Sequence, residues 1–106
     1  MELWKPVKGY EKYYTVSSTG KIYSIKMKRE LKGSLIKGYR RVKLKGISFA
    51  VHRLVADAFI KGRCEYRRCV NHKDCDRLNN HMDNLEWCSH LENSEHAVKM
   101  GRYKRK

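Results

Sequence analysis

The chain has 106 residues, with 25 lysines and arginines against 11 aspartates and glutamates, which gives a formal net charge of +14 at pH 7. This length suits one small domain or two tightly packed subdomains and excludes a large enzyme core. No apolar run is long enough to span a bilayer, and the first six residues lack the apolar segment of a signal peptide, so we expect neither membrane insertion nor secretion. Because so high a charge is self-repulsive without a polyanion, nucleic acid is the first partner to consider.

The positive charge is concentrated in two segments. Residues 21–45 carry a net charge of +9 and residues 99–106 a net charge of +5, whereas residues 46–98 carry −1. The nearly neutral segment also holds all five histidines and all four cysteines. Electrostatic binding alone does not require this separation, so the pattern indicates basic arms that flank a reaction centre.

The first half of the chain is predicted to form a small antiparallel sheet. Four strands, rich in aromatic and β-branched residues, are predicted at 13–16, 21–25, 39–45 and 47–51. Within the third strand, Val42 and Leu44 lie on one face, and the other face carries Arg41, Lys43 and Lys45. A cationic face of this kind is a platform for a phosphate backbone, and an ordinary solvated face would show the same pattern.

The hydrophobic period changes from that of a strand to that of a helix at His52. Apolar residues then recur at helical spacing, at Leu54, Val55, Ala58 and Phe59. The pair Lys61-Gly62 ends the segment, so a helix is predicted at about 52–60.

The remaining chain is predicted to form a ββα arrangement. Its first three elements are a strand at 70–72, a polar loop at 73–83 and a strand at 84–88. A Ser-x-x-Glu capping box at Ser89 then predicts a helix that ends near Met100. The predicted fold class is therefore α+β, with a small antiparallel sheet plus helix in residues 1–62 and the ββα unit with a basic tail in residues 63–106.

Several short motifs, taken together in their order and spacing, are those of a known family. They are Val-His-Arg-Leu-Val-Ala-x-Ala-Phe at 51–59, Val-Asn-His-x-Asp at 70–74, Asn79-Asn80, Asn-Leu-Glu-Trp at 84–87, and Glu92-Asn93. This part of the chain resembles the HNH homing endonucleases, which are ββα-metal nucleases encoded in phages and mobile introns. The segment 4–21 is similar to the small DNA-binding module that often precedes that nuclease, and the resemblance covers roughly residues 2–97.

The resemblance implies a divalent-metal-dependent DNA endonuclease, and the residue types suit that chemistry. Hydrolysis of a phosphodiester needs a base that deprotonates water and a cation that stabilises the charge on the phosphate and the leaving oxygen. His72 matches the base of the family, and imidazole titrates near neutral pH. Asn71 and Asn93 match its metal ligands, and amide oxygens suit Mg²⁺ or Mn²⁺.

Two further asparagine positions carry expectations from the same resemblance. Asn84 matches the middle residue of the HNH signature, whose expected role is to hold the loop and orient His72. Some relatives have aspartate at the position of Asn71, and a neutral ligand is expected to bind the metal more weakly. The other polar loop residues are expected to form Asx turns, namely Asp74, Asn79, Asn80 and Asp83.

The basic side chains of the first half are predicted to bind double-stranded DNA. The predicted contacts are Lys21, Lys26, Lys28, Arg29, Lys32, Lys37, Arg40, Arg41, Lys43, Lys45 and Arg53. For Arg53, a role on the helix surface is equally open. We expect a monomer that acts in the cytoplasm of a bacterial host and is encoded by a phage or mobile element.

The cysteines raise the question of a structural zinc site. They are Cys64, Cys69, Cys75 and Cys88. Their intervals of four, five and twelve residues do not give two C-x-x-C pairs, so structural Zn²⁺ is less favoured than reduced thiols.

Two other functions stay open at this point. A non-catalytic DNA-binding protein could retain the HNH fold, but it would not need a histidine base beside a metal ligand. An RNA-binding zinc module could use the cysteines, but it would leave the HNH spacing unexplained. The sequence also leaves open whether one DNA strand or both would be cut.

Overall fold

The computed structural model describes residues 2–63, 68–89 and 91. Within them the chain forms nine short strands, one α-helix and one turn of 3-10 helix. In chain order these are β1 (Trp4–Pro6), β2 (Tyr14–Ser17), β3 (Ile22–Ser24), β4 (Arg29–Leu31), β5 (Ser34–Ile36), β6 (Tyr39–Leu44), β7 (Ile47–Ala50), α1 (Val51–Phe59), β8 (Cys69–His72), the 3-10 turn (Met82–Asn84) and β9 (Leu85–Cys88). The predicted α+β class is confirmed.

The first half folds into two antiparallel sheets and not into the single sheet that we predicted. Strands β1 to β4 form one meander, and β5 to β7 form a second. The chain passes from the first sheet to the second at Gly33, which has a positive φ of 66°. A Cβ at this position would overlap the carbonyl oxygen of Arg41, so only glycine lets β4 lead into β5 so close to β6.

Strand β6 has the two faces that its sequence predicts. Val42 and Leu44 are buried in the core, and Lys43 is exposed on the opposite face. Tight Lys-Gly turns connect β6 to its neighbours on both sides, and the φ values of Lys37-Gly38 are 53° and 83°. Turns of this left-handed type match the twist of antiparallel strands, which explains the glycine at the second position.

Helix α1 contacts strands of both sheets and of the β8–β9 pair. It begins at Val51 directly after β7 and ends at Phe59, in agreement with the helix predicted at about 52–60. Its buried side chains are Val51, Leu54, Val55 and Ala56. The first three of these pack in one cluster with Val16 and Ile22 of the first sheet and with Leu85 of β9, so one core serves both halves of the chain.

Strands β8 and β9 form an antiparallel pair in which His72 lies opposite Leu85 and Asn71 opposite Glu86. The indole nitrogen of Trp87 donates to the carbonyl oxygen of Ile60 at 2.9 Å, which ties β9 to the end of α1. The helix predicted from Ser89 to about Met100 lies almost wholly outside the described residues, and the division between residues 62 and 63 stays a prediction. No helix of the described part is long and apolar enough to cross a membrane.

Candidate active site

His72 stands at the end of β8, where the polar loop begins. Its side chain is buried, with 3% of its surface exposed, and its Nε2 lies 2.9 Å from the Oδ1 of Asn80, which is 5% exposed. An amide oxygen can only accept a hydrogen bond, so Nε2 carries the proton in this pair. In the neutral imidazole the basic nitrogen is then Nδ1.

Asn84 holds together the loop that supplies Asn80. Its Oδ1 accepts from the backbone nitrogen of Asp74 at 3.1 Å, and its Nδ2 donates to the Oδ1 of Asp74 and to the carbonyl oxygen of Asn79, both at 2.9 Å. Asn84 thus bonds to the start and to the end of the loop, and its role towards His72 stays a prediction. The bond to His72, however, comes from Asn80, for which we expected only a turn.

The carboxylate of Asp74 is the centre of the same loop network. It accepts from the side chain of Asn79 at 2.8 Å and from the backbone nitrogen of Asp76 at 2.8 Å. These bonds, the one from Asn79 foremost, lower the pKa of Asp74 below its ordinary value. The loop is thus held by charge-assisted hydrogen bonds at its start, which keep Asn80 in place beneath His72.

Asn71, the predicted metal ligand on β8, is oriented by the strand opposite. Its side chain is 3% exposed, and its Nδ2 donates to the Oε1 of Glu86 at 2.9 Å. No described residue donates a hydrogen bond to its Oδ1, so a buried amide oxygen is left to accept from another group. A hard divalent cation is such a group, and the donor chemistry therefore fits Mg²⁺ or Mn²⁺.

The second predicted ligand, Asn93, lies outside the described residues. Among those that are described, no three His, Cys, Asp or Glu side chains come together in a way that could hold a metal ion. Of the cysteines, Cys69 and Cys88 lie directly opposite each other in β8 and β9, Cys75 is in the loop, and Cys64 is not described.

A second histidine lies beside His72. The ring centroids of His52 and His72 are 5.0 Å apart, with an interplanar angle of 63°. Burial, and to a smaller extent the positive charges of His72, Arg53 and Arg41, together lower the pKa of His52 to about 4. His52 is therefore neutral at pH 7. Its presence in the 51–59 motif was the only signal in the sequence, and nothing in the spacing placed it against His72.

The N-terminal turn, residues 17–20, packs against the loop that carries Asn80. The backbone nitrogen of Met82 donates to the carbonyl oxygen of Ser18 at 2.7 Å. Gly20 has a φ of 99°, and a Cβ added there would lie 2.8 Å from the Cβ of Asn80. The first sheet therefore buttresses the candidate site directly.

Most of the predicted DNA contacts are exposed to solvent, whereas Arg53 already forms a hydrogen bond within the protein. The exposed ones are Lys21, Lys26, Lys28, Arg29, Lys32, Lys37, Lys43 and Lys45. A cleft of about 310 Å³ beside Asn80 is lined by three cations of the predicted set, Lys21, Lys32 and Arg40. Arg53 donates instead to the carbonyl oxygen of Arg68 at 2.7 Å, which favours the structural role left open for it.

Comparisons with known proteins bear on both halves of the chain. Residues 2–45 match the NUMOD4 motif, and residues 49–95 match a family described as HNH endonuclease. The chain is 45% identical over 103 residues to the DNA endonuclease I-HmuI of Bacillus phage SP01, a match that covers 92% of this chain and 59% of that one. An uncharacterised HNH endonuclease, L245, of Acanthamoeba polyphaga mimivirus is 40% identical over 102 residues, covering 92% of this chain and 30% of its own.

A solved structure has the same fold. The structure titled "DNA binding and cleavage by the HNH homing endonuclease I-HmuI" superimposes with a TM-score of 0.87 at 41% identity, covering 97% of this chain and 62% of that chain. The present chain thus spans about three fifths of the length of this relative. The resemblance to the HNH homing endonucleases that the motifs predicted is confirmed by these matches.

Proposed function

We propose that the chain is a DNA endonuclease that hydrolyses phosphodiester bonds with a divalent metal ion, because residues 49–95 match the HNH endonuclease family and residues 2–45 match the NUMOD4 motif. The observation that carries this proposal is the buried His72, whose Nε2 is held by Asn80 and which follows the buried Asn71 in β8. A protein that only binds DNA has no need for a buried imidazole that is held in one orientation.

In the proposed reaction His72 is the general base. Its Nδ1 takes a proton from the attacking water, while the Nε2–H stays on the imidazole and remains bonded to Asn80. The amide oxygen of Asn80 stabilises the imidazolium that forms, because the partial negative charge of this oxygen faces the positively charged ring. Asn84 acts indirectly, because its hydrogen bonds hold the loop that carries Asn80.

The metal site is proposed to consist of Asn71 and Asn93 with phosphate oxygens and water. A divalent cation bound there would stabilise the charge that develops on the phosphate and the leaving oxygen. Glu86 accepts a hydrogen bond from the Nδ2 of Asn71. This bond directs the oxygen of the amide away from β9. Because both proposed ligands are neutral, we expect metal affinity to depend on the phosphate that DNA supplies.

Double-stranded DNA is the proposed substrate. Exposed cations of residues 21–45 would bind its backbone, and the cleft at Lys21, Lys32 and Arg40 would bring that backbone to Asn80. We further propose that residues 1–62 act as the DNA-binding part and residues 63–106 as the nuclease part, and that the protein works as a monomer in the host cytoplasm.

The test is the nicking of supercoiled plasmid with Mg²⁺ or Mn²⁺, with EDTA as the control for metal dependence. His72→Ala should lower the rate by about 10²–10⁴-fold, which is the usual effect of losing a positioned base. Its DNA affinity in EDTA should not change, because the basic side chains of residues 21–45 are untouched.

His81→Ala is the matched control, since it makes the same substitution in the same loop at a ring that bonds to Asp83. It should keep most of the activity. If wild-type protein fails to nick with either metal, or if His72→Ala nicks as fast as wild type, the protein is not the nuclease proposed here.

A further inference from the structure

A row of four side chains leads from the protein surface to His72. The guanidinium carbon of Arg77 lies 4.8 Å from the ring centroid of Tyr39. The Tyr39 centroid lies 5.3 Å from that of His52 and 6.1 Å from that of His72. With 5.0 Å between the two histidines, the three rings touch one another, and Arg77 covers the tyrosine.

Arg77 also fixes the turn from which Tyr39 emerges. Its Nη1 donates to the carbonyl oxygen of Lys37 at 3.2 Å, across 40 positions of sequence. At Gly38 a Cβ would lie 3.2 Å from the same Nη1, so the close approach of Arg77 uses the space that glycine leaves. The polar loop that carries Asn80 is thereby attached to the β5–β6 turn as well as to residues 17–20.

Tyr39 meets the histidines with its ring and not with its hydroxyl. Within the described part of the chain the hydroxyl forms no hydrogen bond, and the side chain is half-buried. By the register of β6 it shares a face with Arg41 and Lys43, which are predicted to bind DNA. The same strand therefore presents cations to the substrate and an aromatic ring to His72.

We infer that Tyr39 is a positioning residue for His72, and that Arg77 holds Tyr39 in place from its other side. The inference rests on the proposed function, because it assigns a role in the orientation of the proposed base. The hydrogen bond from Nε2 to Asn80 holds one atom of the imidazole, and a bond at one atom does not by itself define the plane of the ring. Packing against Tyr39 and His52 fixes that plane, and with it the direction of Nδ1.

The alternative is that Tyr39 and Arg77 bind DNA themselves. The geometry favours the positioning role, because the Arg77 guanidinium already lies on an aromatic face and bonds to a carbonyl oxygen. The two roles differ in what they affect, since a DNA contact changes the dissociation constant and a positioning residue changes the rate of the bound complex.

The experiment measures single-turnover nicking at saturating protein, and DNA affinity separately in EDTA. Tyr39→Ala should slow nicking of the bound complex by about 10²-fold, which is the usual cost of an ångström-scale misplacement of a catalytic group. Its dissociation constant should equal that of wild type. Tyr39→Phe keeps the ring and should restore nearly the full rate.

Arg77→Ala should give a smaller loss, and the loss should vanish when Tyr39 is already alanine, because the arginine acts through the ring. Lys43→Ala is the contrasting variant on the same face of β6: as a predicted DNA contact it should raise the dissociation constant, which Tyr39→Ala should leave unchanged. Thermal melts of all variants verify that each is folded. If Tyr39→Ala does not fold, the rates of Tyr39→Phe and Arg77→Ala test the inference instead.

Three results would overturn the inference: a fully active Tyr39→Ala, a Tyr39→Phe as slow as Tyr39→Ala, or losses that arise entirely from weaker binding. Each of these requires an active wild type and leaves the proposed nuclease function standing. A wild type that does not nick would refute the proposed function, and this inference with it.

Discussion

Gly20 packs directly against Asn80, the residue whose side chain holds His72. A Cβ at Gly20 would lie 2.8 Å from the Cβ and 3.3 Å from the carbonyl oxygen of Asn80. The turn of the first sheet and the loop of the candidate site therefore share a surface on which even one methyl group does not fit. Asn80 is buried and holds Nε2 of His72. A substitution that displaces Asn80 at this contact should therefore also displace the proposed base.

Gly20→Ala is expected to lower both stability and nicking rate. Alanine at a φ of 99° costs about 1–3 kcal/mol of backbone strain, and the overlap with Asn80 adds a similar amount. Gly9→Ala is the matched control, because Gly9 has a φ of 83° and nothing within 4 Å of its added Cβ. Urea denaturation should show a larger loss in the free energy of unfolding for Gly20→Ala than for Gly9→Ala, and only Gly20→Ala should nick slowly. Equal losses of stability in the two variants would contradict the contact with Asn80.

Asn80→Ala should slow cleavage while DNA affinity stays unchanged. The substitution leaves the buried Nε2–H of His72 without its acceptor, which costs about 1–3 kcal/mol of stability. The saturated nicking rate should fall by about 10²-fold, because the imidazole is no longer held in one orientation. Asn79→Ala removes a neighbouring amide that bonds to Asp74 and not to His72, so its rate should fall less.

The difference between these two asparagines marks the limit of what the sequence could predict. Asn79 and Asn80 have the same side chain and stand in the same motif, yet only Asn80 is turned inward beneath His72. The spacing of Val42 and Leu44, by contrast, predicted a buried face correctly, because alternation in a strand requires no knowledge of the rest of the fold.

Contacts between distant segments of the chain could not be predicted from the sequence either. Tyr39 meets His72 where the β5–β6 turn docks on Arg77, and no local pattern encodes that docking. Strands β1, β4 and β5 were missed because each has three residues and too few apolar positions to show a period. Their pairing is determined by their neighbours in the sheet and not by their own composition.

The pH dependence of stability should carry a contribution from His52. Burial holds its pKa at about 4 in the folded protein, below the ordinary value of 6.5. Between these two values the unfolded chain binds a proton that the folded protein does not, so the free energy of unfolding falls as the pH drops from 6.5 towards 4. The full shift corresponds to a loss on the order of 3 kcal/mol.

His52→Phe removes this group and keeps an aromatic ring, so its stability should depend less on pH than that of wild type. Urea denaturation at several pH values through this window measures the difference between the two slopes. His81→Ala, at an exposed ring, should keep the wild-type slope. Identical slopes for wild type and His52→Phe would show that His52 is not the buried neutral group described here.

Binding to duplex DNA should depend strongly on salt, even in EDTA. Residues 21–45 have a net charge of +9, and most of their cations are exposed. If they neutralise about six phosphates, the logarithm of the binding constant should fall with the logarithm of salt at a slope of roughly −5. Lys43→Ala should make this slope less steep by about 1, whereas Lys12→Ala, which lies outside the segment, should leave the slope unchanged. If an anisotropy titration shows a binding constant that does not change with salt, this mode of binding is excluded.

Asn71→Asp should convert the site into one whose stability depends on metal. Asn71 now donates its Nδ2 to the Oε1 of Glu86 at 2.9 Å, and aspartate would place a second carboxylate oxygen against the first. Two carboxylates so close repel each other, and in EDTA the variant should melt at a lower temperature than wild type. Mn²⁺ would relieve that repulsion, so it should raise the melting temperature of Asn71→Asp by more than that of wild type.

The double variant Asn71→Asp/Glu86→Gln tests whether the effect arises from this pair. Its glutamine amide can donate to the new aspartate, which restores the hydrogen bond with the roles of the two strands exchanged and removes the repulsion. Its melting temperature in EDTA should therefore return towards that of wild type, and the response to Mn²⁺ should shrink. If Mn²⁺ raises the melting temperatures of wild type and of Asn71→Asp equally, the cation does not bind at residue 71. The metal would then have to be held by ligands elsewhere in the chain, and the assignment of Asn71 would be wrong even if His72 proves to be the base.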